Sequence, residues 1–228
     1  MCYNYFYMPL EIKTIRLPLP FRLGSVNCYI IKTGSGCILI DTGCANGRAE
    51  LEKGLLGAGC EPGRLKVIVL THGDFDHSGN AAYLRQKFGA KIAMHRDDSA
   101  MVEHGDIFGG RQKSSFFFRL LAPVLFRFGK SKRFKPNLYL EEGDDLAEYG
   151  FEAKVVHIPG HSSGSIGILT AAGELFGGDL VLKKSRPERN SFIDDPAAAS
   201  ASIAKLKRLK INTVYPGHGR PFPMESML

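Results

Sequence analysis

One stretch of sequence, VIVLTHGDFDHSG at residues 67–79, indicates both the architecture and the chemistry of this chain. Its apolar, β-branched first half (Val67 to Leu70) predicts a buried strand. Two imidazoles and two carboxylates follow within six residues, namely His72, Asp74, Asp76 and His77. In an extended segment the first three can point the same way, and the last can turn back where the chain bends at residues 78–79. Because first-row divalent metals prefer such groups, we predict a metal site here.

Three later fragments each place one more ligand-type residue in a glycine-flanked loop. His161 follows an apolar run and a Pro-Gly break, Asp179 follows two glycines, and His218 lies within Pro-Gly-His-Gly near the end of the chain. Glycine allows close approach of the backbone at such positions. Together with the cluster at residues 72–77 they give seven candidate ligands, which is what two metal ions sharing a bridging carboxylate need.

The order of these residues resembles the pattern of the metallo-β-lactamase superfamily of metal-dependent hydrolases. That pattern reads His-x-His-x-Asp-His, then a later His, an Asp and a last His. The segment Ile38-Leu-Ile-Asp41-Thr-Gly43 is similar to the family's early strand ending in Asp-x-Gly, so the likeness covers about residues 14 to 221. The resemblance implies an α/β fold, a four-layer αββα sandwich with mixed sheets and a dinuclear metal site at the sheet edges.

The resemblance also implies a role for each residue. His72, Asp74 and His161 hold the first metal; Asp76, His77 and His218 hold the second; Asp179 bridges them; and Asp41 orients the loop or a ligand imidazole. The implied mechanism is hydrolysis by a metal-bridging hydroxide. Asp76 then acts as both a ligand and the catalytic orienting group.

Asp74 is the departure from the family pattern, because most members carry the second histidine there. A carboxylate is harder than imidazole and shifts preference from zinc toward iron or manganese. The flavin-linked diiron branch of the family is similar in having a carboxylate, a Glu, at this position. Asp is also shorter than His, so a mononuclear site is a further alternative. We expect two divalent ions, with zinc favoured and iron or manganese as alternatives.

Composition favours one domain over residues 1–228, since 44% of the residues are hydrophobic and can form a sizeable core. No apolar run approaches the eighteen or so residues of a membrane-spanning helix. The N-terminus lacks the features of a signal peptide. The five cysteines are odd in number and show no Cys-x-x-Cys spacing. We therefore expect reduced thiols and a cytoplasmic protein.

Hydrophobic periodicity predicts ten strands and three helices. The expected strands are 11–17, 26–32, 37–41, 67–71, 91–94, 137–140, 151–157, 165–170, 174–176 and 213–215. The expected helices are 48–58, 78–88 and 196–209, the last with an N-terminal cap at Asp194-Asp195.

A basic and aromatic insertion at about 107–138 separates the two halves. Residues 107–140 contain eight basic and no acidic side chains, within a chain of net charge +7. Three interpretations stay open: an amphipathic arm packed on the sandwich, a lid over the metal site, or a membrane-surface or dimer contact. Nucleic acid is a weaker alternative, because the family's nucleases resemble longer chains with an added domain.

The expected substrate is a small molecule with an ester-type bond, a thioester or a lactone, since the chain resembles the compact glyoxalase II-like, thioesterase and lactonase members. Lys183 and Lys184 follow Asp179 closely and could hold a substrate carboxylate or phosphate. Two alternatives remain: a diiron redox protein that needs an electron-donating partner, and a non-catalytic metal-binding protein. His95, His104 and His157 lie outside the motif and are expected to be structural or surface residues.

Overall fold

The computed structural model describes residues 10–105, 133–183 and 186–227. Within these ranges the strands are β1 Glu11–Pro18, β2 Ser25–Thr33, β3 Gly36–Ile40, β4 Leu65–Val69, β5 Lys91–Met94, β6 Leu138–Tyr139, β7 Ala153–His157, β8 Ile166–Thr170, β9 Glu174–Gly178, β10 Val181–Lys183, β11 Pro187–Arg189, β12 Thr213–Pro216 and β13 Phe222–Pro223. The α-helices are α1 Arg48–Leu56, α2 Phe75–Ser78, α3 Ala81–Phe88, α4 Ser99–His104 and α5 Pro196–Leu206.

Two mixed sheets carry eleven of these strands, and β10 and β11 form a separate antiparallel pair. The first has the order β1-β2-β3-β4-β5-β6, antiparallel up to β3 and parallel from β3 to β6. The second has the order β13-β12-β9-β8-β7, in which β12 and β9 are parallel and the other neighbours are antiparallel. Strands β7, β9 and β12 consequently run in the same direction and end at one edge of their sheet.

Alternation along the strands of the first sheet divides the core into layers. Ile38 and Ile40 face the second sheet, where they join Val155 and Phe176, whereas Leu39 belongs to a different cluster on the opposite face. That outer cluster includes residues of α1 and α3, and a third cluster lies between the second sheet and α5. Because successive strand residues point to opposite faces, both sides of each sheet are apolar and both are covered. The expected four-layer αββα sandwich is confirmed.

Most predicted helices and strands agree with the structure, and the differences concern the start of one helix and several short elements. The helix expected over 78–88 corresponds to α3, which begins three residues later after Gly79-Asn80, and only residue 78 belongs to the separate helix α2. Strands β10, β11 and β13 and helix α4 were not predicted, because two to six residues carry too little periodicity. The expected cap of α5 is confirmed for Asp195, whose carboxylate accepts hydrogen bonds from Ala197 N and Ala198 N.

The expectation that the cysteines are all reduced thiols is wrong for two of them. Cys37, in β3, and Cys60, after α1, form a disulfide with a Cα–Cα distance of 5.8 Å. They are 23 residues apart, and the packing of α1 on the first sheet brings them together. Short-range cysteine spacing therefore could not predict this pair. Cys28 and Cys44 are buried thiols.

Most of the basic insertion, residues 107–132, lies outside the described residues. Its described end packs on the outer face of the first sheet, where Phe134 is buried and its N–H donates to Val102 O. In the described parts of the chain we find no helix with the length and apolar character needed to cross a bilayer.

Candidate metal centre

The candidate ligands all follow the C-terminal ends of strands. His72 to His77 come after β4 of the first sheet, while His161, Asp179 and His218 come after β7, β9 and β12 of the second. Because these last three strands run in the same direction, their ends meet at one edge. The sandwich places this edge against the end of β4, so all seven predicted residues are brought together.

One group of atoms surrounds Asp74, at the position where the family pattern has a histidine. Its Oδ2 lies 3.0 Å from His161 Nε2 and 3.5 Å from His72 Nε2. The two imidazole rings are perpendicular, with centroids 4.7 Å apart. The shorter aspartate side chain therefore reaches the two histidines that the resemblance assigns to the first metal.

A second group of atoms consists of Asp76, His77 and His218. Asp76 Oδ2 lies 3.3 Å from His218 Nε2 and 3.9 Å from His77 Nε2. One ligand atom from each of these residues falls within 4.8 Å of the others. The structure thus groups these three side chains as the resemblance implies for the second metal.

Asp179 lies between the two groups. Its Oδ1 is 3.3 Å from His77 Nε2 and its Oδ2 is 3.1 Å from His218 Nε2. The same residue also falls within 4.8 Å of ligand atoms of His72 and His161. Asp179 is therefore within reach of both groups, which is the position that a bridging carboxylate needs.

Buried polar atoms without hydrogen bonds indicate that these residues fit metal ions. Among the described residues, His72 Nε2, His77 Nε2 and Asp179 Oδ1 are buried and make no hydrogen bond of acceptable geometry. Leaving such a group unsatisfied costs about 1–3 kcal/mol. A divalent cation would satisfy all three, because neutral imidazole nitrogens and carboxylate oxygens are its preferred ligands.

Asp41 contacts His77 on the side of the ring that faces away from the candidate metal site. It is buried at the end of β3, and its Oδ2 accepts hydrogen bonds from His77 Nδ1 at 2.8 Å and Thr71 Oγ1 at 2.8 Å. Its Oδ1 accepts from Thr71 N, also at 2.8 Å. A carboxylate without a proton can only accept, so His77 carries its proton on Nδ1 and presents the Nε2 lone pair to the site.

Backbone carbonyls orient two other imidazoles in the same sense. His161 Nδ1 donates to Phe192 O, and His218 Nδ1 donates to Ser25 O at 2.7 Å. Since a carbonyl oxygen only accepts, both rings also turn Nε2 toward the centre. Asn190 was missed by sequence reasoning; it is buried and its Nδ2 donates to Asp179 Oδ2 at 3.3 Å.

The charges in the site shift several pKa values strongly. Burial lowers the pKa of His218, but Asp179 and Asp76 raise it to about 11. Burial likewise opposes protonation of His77, yet Asp179, Asp41 and Asp76 raise its pKa well above the usual range. Burial raises the pKa of Asp179, but His218 and His77 hold it well below its ordinary value. Without a metal, protons on the histidines thus balance the carboxylates, and a bound cation would replace those protons.

Asp98 is a buried carboxylate that sequence reasoning missed. It ends a short turn after β5 and is 1% exposed. Its oxygens accept hydrogen bonds from Gly73 N, Ser162 Oγ and Gly164 N. No motif marks this residue, and its only signal in the sequence is an aspartate closely following a buried strand.

Outside this site, His95, Asp97 and His157 form another group with ligand atoms within 4.8 Å. The two imidazoles stack with centroids 4.3 Å apart and an angle of 3° between their planes. Lone pairs in parallel planes do not converge on one point. His157 Nε2 also bonds Ser163 O at 2.9 Å, which agrees with a structural role.

The structure describes one of the two lysines that were predicted to bind substrate. Lys183 is half-buried at the end of β10, and it forms a backbone bridge with Gly219, next to His218. Lys184 lies outside the described residues.

Comparison with known proteins gives consistent matches. A family model described as metallo-β-lactamase superfamily matches residues 21–218. The chain is 32% identical over 162 residues to hydroxyacylglutathione hydrolase GloC of Haemophilus influenzae, covering 68% of this chain and 69% of that protein. It is 28% identical to the acyl-coenzyme A thioesterase MBLAC2 of Bos taurus, covering 90% of this chain and 73% of that protein. The solved structure of TTHA1623 in a di-iron-bound form has a TM-score of 0.69 and 29% identity, covering 92% of this chain and 95% of that one.

Proposed function

Because this chain belongs to the metallo-β-lactamase superfamily, we propose that it is a two-metal hydrolase that cleaves a thioester bond in a small molecule. This proposal rests on the convergence of seven ligand-type side chains at the edge of the sandwich, six in groups with ligand atoms within 4.8 Å and Asp74 beside His72 and His161, with buried lone pairs aimed inward. His72, Asp74 and His161 would hold one divalent ion, Asp76, His77 and His218 the other, and Asp179 would bridge them. Zinc is the favoured ion.

Bound divalent ions would lower the pKa of a coordinated water to about 7 and polarise the substrate carbonyl. The chain's own residues supply orientation. Asp76 is partly exposed and lies beside His218, so its carboxylate would orient the attacking water as well as bind. Asp41 keeps the His77 proton on Nδ1, which leaves Nε2 free to ligate. Attack of water on the carbonyl carbon breaks the C–S bond and yields a carboxylate and a thiol.

A thioester is favoured over a lactone by the relatives. One similar protein is named as a hydrolase of hydroxyacylglutathione and another as an acyl-coenzyme A thioesterase. Both names specify acyl groups on sulfur, and both thiol carriers are anionic. Lys183, beside the His218 loop, would bind such an anionic group. We therefore expect Lys183→Ala to raise KM with little change in kcat, whereas Lys66→Ala, in β4 at the far end of the strand, leaves both unchanged. An unchanged KM would remove Lys183 from the substrate site.

The test is thiol release from a panel of substrates. Zinc-loaded protein is incubated with a glutathione thioester, an acyl-coenzyme A thioester and a lactone, and the Asp76→Asn variant is the control. Thioester cleavage that is lost in Asp76→Asn supports the proposal. Turnover of the lactone alone replaces thioester with lactone as the substrate class. No turnover of any substrate by protein that carries two ions contradicts a hydrolase acting on these bonds.

A diiron redox protein is the second candidate, because Asp74 places a carboxylate where most members of the family have a histidine and because a similar structure was solved in a di-iron-bound form. Elemental analysis of protein purified without added metal distinguishes the candidates. Two zinc ions per chain support the hydrolase, and two iron ions together with oxygen or nitric oxide reduction would favour the redox protein. One ion or none, not restored by added metal, contradicts both two-metal proposals and leaves a non-catalytic metal-binding protein.

A further inference from the structure

The first metal group is assembled from two separate parts of the fold. His72 and Asp74 lie in the loop after β4 of the first sheet, and His161 lies in the loop between β7 and β8 of the second. The relative position of the two loops therefore sets the distances among these three ligands. A contact between the two loops is therefore needed to keep these distances fixed.

Asp98 makes contacts with both loops. Its Oδ2 accepts a hydrogen bond from Gly73 N at 2.9 Å, and Gly73 lies between two ligands of the first group. The same oxygen accepts from Ser162 Oγ at 2.7 Å, and Oδ1 accepts from Gly164 N at 2.7 Å. Both residues closely follow His161. The carboxylate thus has three donors, two from the second sheet's loop and one from the first sheet's loop, with no water needed to satisfy it.

The contacting loops carry glycine where Asp98 packs against them. A Cβ on Gly164 would lie 2.6 Å from Asp98 N and 2.7 Å from its Oδ1, and one on Gly73 would lie 3.0 Å from Asp98 O and 2.7 Å from Met101 Sδ. Any side chain at these positions would push the loops away from the carboxylate. The close approach of both loops is thus part of how the chain is built.

We propose that Asp98 is a positioning residue that fixes the first metal group, His72, Asp74 and His161, by tying together the two loops that carry it. Asp41 does the corresponding work at the second group, where it bonds His77 directly. The two buried carboxylates follow the two parallel strands that flank β4, Asp41 directly after β3 and Asp98 shortly after β5. Asp98 would therefore position the ligands of the first metal, and Asp41 those of the second. This inference depends on the two-metal site proposed above.

Replacement of Asp98 by Asn tests the proposal with little change in shape. The amide would present N–H groups to backbone N–H or hydroxyl donors, so at least one contact between the loops is lost. We expect the affinity for one of two Co²⁺ ions to fall about 10–100-fold, as is typical for such supporting contacts, while the other ion stays bound as in the wild type. Stepwise affinities come from chelator competition, with the Co²⁺ absorption spectrum reporting ligand geometry.

Three further variants distinguish a positioning role of Asp98 from a general effect on folding. Ser162→Ala removes one of the three contacts without a buried charge, so it should fold and weaken the same ion to a smaller extent. Asp97→Asn is the matched control. The Asp97 side chain is 54% exposed and lies beside His95 rather than beside the two loops that carry the first metal group. In an Asp74→Ala background, Asp98→Asn should produce no additional loss for the remaining ion, because both changes act on the first site.

The outcomes separate the inference from the function it depends on. Wild-type protein that binds fewer than two ions refutes the two-metal site itself. If the wild type binds two ions, equal weakening of both by Asp98→Asn shows a general structural role and overturns the inference. Unchanged affinities in both Asp98→Asn and Ser162→Ala also overturn it.

Discussion

Asp41→Asn changes the proton position on a candidate metal ligand without changing the size of the side chain. Asp41 Oδ1 accepts from Thr71 N, and its Oδ2 accepts from His77 Nδ1, both at 2.8 Å. In the variant, the amide oxygen would keep the Thr71 N–H and the amide NH₂ would face His77. His77 Nδ1 must then accept, and the ring proton moves to Nε2, the atom that faces Asp179. The lone pair needed for a metal is lost in that tautomer.

The magnitude follows from the contacts that are lost. Such a supporting partner typically contributes 10–100-fold to metal affinity, which equals about 1.4–2.8 kcal/mol. The free energy of unfolding of the metal-free protein should also fall, by about 1–3 kcal/mol, because a buried hydrogen bond to a charged group is lost. We therefore expect one ion to bind about 10–100-fold more weakly and the other to bind as in the wild type.

The assay is chelator competition with zinc, together with urea unfolding of the metal-free protein. Leu55→Ala is the control, because it removes a fully buried side chain of α1 and should cost about 2–5 kcal/mol of stability without touching a ligand. If Asp41→Asn binds both ions as the wild type does, the tautomer argument is refuted. If Leu55→Ala weakens metal binding equally, lost stability rather than the His77 proton explains the effect.

Four further outcomes are expected. Metal binding near pH 7 should release protons, measured with an indicator dye, because His218 has a pKa of about 11 without metal and must be neutral to ligate; binding without proton release would contradict this. In the folded, metal-free protein the pKa of His218 is raised from 6.5 to about 11 by Asp179 and Asp76, so the protonated ring stabilises the fold fully below pH 6.5. This stabilisation is lost as the pH rises toward 11. Urea unfolding that shows no alkaline loss of stability would contradict this expectation. Asp74→Ala should lower metal content to about one ion per chain by elemental analysis, and unchanged content would show that Asp74 is not a ligand. Phe176→Ala should cost about 3–5 kcal/mol in urea unfolding, because its buried ring contacts Tyr29 and Tyr215 between the sheets; a loss below about 1 kcal/mol would show that the gap between the sheets closes.

Sequence patterns predicted the long elements well and the short ones poorly. Strand β2 was expected over residues 26–32 and spans Ser25–Thr33, because a run of apolar residues marks its interior. Helix α4 was missed because six residues include little more than one turn of periodicity. The boundary between α2 and α3 was missed because the predicted helix started at Ser78, the last residue of α2, and continued across Gly79.

The candidate ligands were found because their chemistry is visible residue by residue. Imidazoles and carboxylates at alternating positions after an apolar run are uncommon, and their order along the chain matched a family pattern. Asp98 and Asn190 have no such pattern, since each acts through a contact with residues 11 to 66 positions away. The Cys37–Cys60 pair was missed for the same reason.

The sequence by itself determined which side chains could ligate metal and that strand ends would carry them, because residue chemistry and strand periodicity are local properties. Only the tertiary structure decided that Asp74 reaches His161, that Asp179 faces both groups, and that Asp98 joins the two loops. These distances depend on how two sheets pack across an apolar layer. Packing is set by the sum of many contacts between distant segments, and no short stretch of sequence specifies it.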